Sequence, residues 1–97
     1  MLTEILSQNP SDAFARYGLA LEYSNTGDVG RALEEFGKLL VAHPDYTAGY
    51  FMAAQALARV ERLEDAKKML ADGIASAKRT GNSHAQSEME GMLADLG

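Results

Sequence analysis

The chain has 97 residues, 46% of them hydrophobic, and a formal net charge of −5. That size suits one domain with a modest core, and the composition excludes wholesale disorder. The acidity and the scattered Lys and Arg argue against a phosphate-binding surface. The absence of cysteine removes disulfides and thiolates, and no apolar run reaches the ~20 residues that span a bilayer.

Abundant Ala, Leu, Glu and Met, with only two prolines, favour helices throughout. The opening Met-Leu-Thr-Glu-Ile-Leu lacks the basic start and apolar core of a signal peptide, so the chain is expected to be cytoplasmic. Leu2 to Gln8 reads as a short helix with Leu2, Ile5 and Leu6 on one side. Too short to stand alone in water, it must lean on the next helix of the chain. Pro10 ends it, and Ser11 or Asp12 caps a second helix that runs to about Asn25.

The second helix is apolar on two sides. Ala15, Leu19, Ala20 and Tyr23 make one face, while Phe14, Tyr17 and Leu21 make another, roughly 160° away at about 100° per residue. Such a helix is either sandwiched or presents a sticky surface. Gly27 supplies the left-handed residue of a turn, and Asp28 caps a third helix to about Ala42 with Ala32, Leu33, Phe36, Leu39 and Leu40 inward. Gly37 either admits a neighbouring helix or is tolerated drift. Glu34 and Lys38 are spaced for an ion pair on its wet side.

Past Pro44, Asp45 is placed to cap a fourth helix from about Tyr46 to Arg59 or Val60, with Tyr50, Ala53, Ala54 and Leu57 inward. The next turn has Glu61-Arg62 and no glycine. Leu63 to about Arg79 makes the fifth helix, with Ala66, Met69, Leu70, Gly73, Ile74 and Ala77 inward and a second ion-pair spacing at Glu64 and Lys68. Gly81 stops it. Ser83 and Gln86 form a capping-box pattern opening a last helix to about Leu96, apolar at Ala85, Met89, Met92, Leu93 and Leu96 and polar or small at His84, Ser87, Glu88 and Gly91.

Two features recur. Pro10 and Pro44 stand 34 residues apart, and Ala20/Ala54 and Ala32/Ala66 repeat in the same phase. Helices approach closely only where side chains are small, so these alanines mark the crossings, with Tyr23, Phe36 and Leu57 filling the space beside them. The pattern resembles the tetratricopeptide repeat family: Leu19-Ala20, Tyr23, Gly27-Asp28, Ala32, Phe36 and Pro44 match its motif, as do Tyr50, Ala54, Leu57 and Ala66 in a second unit. Arg16 stands where a bulky apolar residue is usual, and Glu61 replaces the turn glycine. The resemblance implies one all-α domain, a right-handed superhelical stack of antiparallel helix pairs. Residues 1–9 form an N-terminal helix, 11–44 and 45–80 two repeats, and 82–97 a capping helix.

The resemblance further implies a protein-interaction module without catalysis, cofactor or metal. First helices of successive units would line a concave groove for an extended peptide or a partner's helix. Phe14, Tyr17, Leu21, Ala48, Phe51, Gln55 and Arg59 would form that groove, Gln55 and Arg59 able to fix a backbone or carboxylate. The alternative is that neighbouring helices cover Phe14, Tyr17 and Phe51. A subclass of the family clamps acidic tails with Lys, Arg and Asn, whereas Tyr17, Leu21, Ala48 and Met52 here cannot pair a carboxylate. The expected partner is an apolar or amphipathic protein segment, with a homodimer as the second reading, and neither nucleic acid nor membrane. His84 and Glu88, four apart, offer two metal ligands but no third. Glu34-Glu35 and Glu88/Glu90 read as surface acids.

Overall fold

The computed structural model describes residues 2–97, so Met1 of the first segment lies outside the described residues. Among these it contains α1 (Leu2–Gln8), α2 (Ala13–Asn25), α3 (Val29–Ala42), α4 (Thr47–Arg59), α5 (Leu63–Thr80) and α6 (Ser83–Leu96), and no strand. Each helix packs against its chain neighbours, α2 on α3 and α4 on α5 most extensively. The small residues sit at these crossings: Ala20, Ala32, Ala54 and Ala66 are all fully buried. Phe36 and Leu39 fill the first core with Ala53, and Leu70, Ala77 and Met89 the second with Tyr50 and Ala54.

Helix ends obey local chemistry, with two corrections. Asp12 accepts from the Ala15 amide (2.9 Å) and Asp28 from the Arg31 amide (3.3 Å), as side-chain caps do. Asp45 does not cap α4. Its carboxylate instead takes Arg79 Nε at 2.9 Å, and Tyr46 occupies the cap position without a side-chain bond. Nor does Ser83 open a capping box: Asn82 is the cap, accepting from the Ala85 amide (3.1 Å), while Gln86 turns to Glu90. Gly27 (φ 86°) and Gly81 (φ 70°) end α2 and α5 in left-handed geometry. Glu61 adopts the same region at φ 61°, so the second turn keeps the first turn's shape despite lacking its glycine.

Side-chain pairing also departs from simple spacing. Lys38 and Lys67 each reach three residues back, to Glu35 and Glu64 (3.5 Å each), leaving the expected Glu34–Lys38 and Glu64–Lys68 pairs unformed. Glu35 is not a surface acid. It is 8% exposed, held by Arg16 from α2 and by Lys38. Arg16 also donates through Nη2 to the Pro10 carbonyl (3.1 Å). One repeat on, the Tyr50 hydroxyl donates to the Pro44 carbonyl (2.7 Å). Tyr50 and Met69 stand 34 residues beyond Arg16 and Glu35, so an ion pair in the first unit takes the place of an aromatic–thioether pair in the second.

The remaining ties run between neighbouring elements. Thr47 and Ser76 share a buried hydroxyl bond (2.8 Å) joining α4 to α5. His43 Nε2 lies 2.8 Å from the Ser11 carbonyl, which can only accept, so Nε2 carries the proton. Met89 is fully buried, which makes it core rather than an adaptable contact, and the outward residues of α6, His84, Ser87, Glu88 and Gly91, are exposed. Gly37 has nothing within 4 Å of a would-be Cβ, so no helix approaches it; Gly73 is the glycine that permits a close crossing, against Tyr50 and Met89.

Candidate functional site: the uncovered face of α2 and α4

Helices α2 and α4 run side by side in the same direction. Tyr17 near the start of α2 stacks at 5.2 Å on Tyr46, the residue that opens α4. At the far end Arg59 Nη1 donates to the Ser24 carbonyl (3.2 Å) and Oγ (3.3 Å), tying the two C-terminal ends together. The sides of α2 turned to α1, α3 and α4 carry its buried residues Ala15, Leu19, Ala20 and Ser24. What is left over is the second apolar face. A similar residue arc on α4, Ala48, Met52, Gln55 and Arg59, stays outside the crossings with α3 and α5.

The seven residues expected to line this face differ in how open they are. Phe14 is 76% exposed, the most open aromatic side chain among the described residues, and Ala48 and Arg59 are exposed as well. Tyr17 and Leu21 are half-buried, resting on the Phe36–Leu39–Ala53 core. Phe51 is also half-buried but leans on the other core, with Tyr50, Leu70 and Met89, where α6 packs. Gln55 is half-buried. The structure therefore groups Phe14, Tyr17 and Leu21 along α2, and separates Phe51 toward α6. It does not seal Tyr17 and Phe51 inside.

Sequence reasoning left out two contributors. Met52 packs on the same core as Tyr17 and Leu21, and its place one turn before Gln55 on the same arc was the available signal. Tyr46 sits before α4 begins, outside any helical pattern, and only the fold brings it against Tyr17. Tyr17 also meets Phe36 edge-on at 6.4 Å. Burial pushes the Tyr17 phenol above its usual value, and the neighbouring Tyr46 adds to the rise; Tyr46 is itself raised by burial and by Asp12. These rings remain neutral in ordinary buffers and act as apolar surface.

Elsewhere, a cleft of about 370 Å³ opens between α3 and α5, lined by Leu33, Phe36, Leu57 and Met69 with Arg62 and Lys68 beside them. His84 Nε2 lies 2.9 Å from Glu88 Oε1 on the exposed side of α6. Among the described residues no three His, Asp or Glu side chains gather as metal ligands, and no helix is long and apolar enough to cross a membrane.

A tetratricopeptide-repeat-containing protein of Pseudomonas aeruginosa is 30% identical over 95 residues, covering 98% of this chain and 90% of its own length. The chain belongs to the tetratricopeptide repeat family. No protein-family model matches the sequence. The tetratricopeptide repeat domain protein of Salinibacter ruber, solved by NMR, superimposes with a TM-score of 0.85 at 32% identity, covering 91% of this chain and 89% of that one. The TPR2B domain of yeast Sti1, solved in a complex with pHsp70, superimposes with a TM-score of 0.91 at 18% identity over 98% of this chain and 76% of that one. In this tetratricopeptide repeat chain α2 with α3 and α4 with α5 are the helix pairs, and α6 lies over the second core.

Proposed function

We propose that this protein is a non-catalytic interaction module that holds a peptide or helix of a partner protein in a groove along α2 and α4. The observation that carries the reading is Phe14, an aromatic ring 76% exposed beside half-buried Tyr17 and Leu21. An open aromatic flanked by a partly covered apolar strip is what binding surfaces use for anchoring, and it has no role in the core. The pHsp70 complex of the Sti1 domain supports a binding role for this fold. Met52 extends the strip onto α4, and Gln55 and Arg59 give it a polar end. The mixture suits an apolar or amphipathic protein segment.

The test is titration of a panel of amphipathic synthetic peptides into labelled protein, with backbone amide shifts as the readout. Shifts clustered on α2 and α4, and lost with Phe14→Ala at unchanged thermal stability, are the expected result. Shifts confined to α3 and α5 overturn the groove. Light scattering of the free protein across concentration addresses the homodimer: a Phe14-dependent dimer at micromolar concentration would give the face to a second copy instead.

A further inference from the structure

We infer that the occupant of this groove is an amphipathic helix running antiparallel to α2 and α4, with an acidic residue of its first turn on Arg59. The inference rests on the groove reading and concerns what the groove accepts. An extended chain must find partners for its backbone amides and carbonyls along its whole length, whereas a helix satisfies its own. The first turns of the groove are lined by Phe14, Tyr17, Leu21, Ala48 and Met52, among which only the Tyr17 phenol has a polar side-chain atom. They offer a buried strand almost nothing to bond with. A helix laid there loses no backbone bonds and buries its apolar stripe.

Polarity is set by Arg59. Its Nη1 is held by Ser24, which fixes the guanidinium, and among the described residues nothing accepts from its Nε or Nη2. That free edge has the fork geometry that a carboxylate takes with two parallel bonds. It lies at the C-terminal ends of α2 and α4, where a partner helix with opposed dipole presents its N-terminus, and a helix's first turn is where an acidic residue is most favourable. The spacing is also set. Met52 and Ala48 stand seven and eleven residues before Arg59, about 10 and 16 Å along α4, so the partner's apolar positions fall about seven and eleven residues after its acid.

A sixteen-residue capped peptide tests this, with glutamate at its second position, leucines at the sixth, ninth and thirteenth, and Ala, Lys and Gln elsewhere. Two relatives serve as comparisons, one with proline at the eighth position and one with glutamine for the glutamate. All three are titrated into the parent protein and into Arg59→Met, whose fold is checked by its thermal melt. The helical peptide is expected to shift the amides of Phe14, Leu21, Met52 and Gln55. The proline peptide should bind at least about tenfold more weakly. Glutamine should weaken binding to the parent about threefold or more, and should make no difference with Arg59→Met. Equal binding of the proline peptide with shifts still on α2 and α4 would overturn the helical occupant while leaving the groove in place. A glutamate effect that survives in Arg59→Met would overturn the assigned polarity. Shifts on α3 and α5 would remove the groove itself, and no shift with any peptide at millimolar concentration counts against the inference.

Discussion

Two glycines in the middle of helices make opposite predictions for the same added methyl group. At Gly73 of α5 a Cβ would lie 2.5 Å from the Met89 sulfur and 2.6 Å from the Tyr50 Cβ, distances that real side chains do not adopt. The thioether can swing aside, but the Tyr50 Cβ moves only with the α4 backbone. Gly73→Ala therefore has to push α4 and α5 apart, an overpacking that costs about 2–3 kcal/mol. The better helix propensity of alanine returns about 1 kcal/mol, leaving a net loss of about 1–2. At Gly37 of α3 nothing lies within 4 Å, so Gly37→Ala keeps only the propensity gain of about 1 kcal/mol. For a domain this size each kcal/mol moves Tm by about 4–8 °C. Thermal melts should place Gly73→Ala below the parent by about 5–15 °C and Gly37→Ala above it by about 4–8 °C. A Gly73→Ala protein as stable as the parent would refute the close crossing of α4, α5 and α6.

The packing sets three further outcomes. Glu61 at φ 61° carries the left-handed penalty of a residue with a Cβ, so Glu61→Gly should raise stability by about 0.5–1 kcal/mol in urea melts. Arg16→Ala removes the main partner of buried Glu35 and should cost about 2–3 kcal/mol, Lys38 remaining as partial compensation. The double change Arg16→Tyr, Glu35→Met installs the residues found 34 positions later, and should come back to within about 1 kcal/mol of the parent. Burial is the first cause that raises the phenols of Tyr17, Tyr46 and Tyr50 above the usual 10.0, so the folded state holds these protons more tightly than the unfolded chain. Their contribution is fully present below about pH 10 and is lost as pH rises through the folded values. Denaturant titrations at pH 8 and pH 11 should show the drop, and Tyr17→Phe should lessen it.

Much of the candidate site was readable because α2 is apolar on two sides. A helix with Leu19 and Ala20 on one flank and Tyr17 and Leu21 on the other has more apolar surface than one neighbour covers. What the pattern could not divide was how much of the second flank stays open. Phe14 and Phe51 look alike on a helical wheel, yet Phe14 has nothing laid over it and Phe51 falls under the reach of α6, a helix that begins 32 residues later. Capping shows the same limit. Asp45 has the right chemistry for the start of α4, but Arg79 arrives from the end of α5 and takes the carboxylate. Glu35 read as one of two surface acids because its partner Arg16 lies on another helix.

The chain by itself determined where helices stop and where they cross, because prolines, turn residues and small side chains act within a few residues and recur at the 34-residue period. Tertiary structure alone decided which polar groups find one another and which apolar face goes uncovered. Arg16 with Glu35, Arg79 with Asp45 and Arg59 with Ser24 each join different elements. Such meetings depend on where the elements come to rest, which no spacing along the sequence encodes.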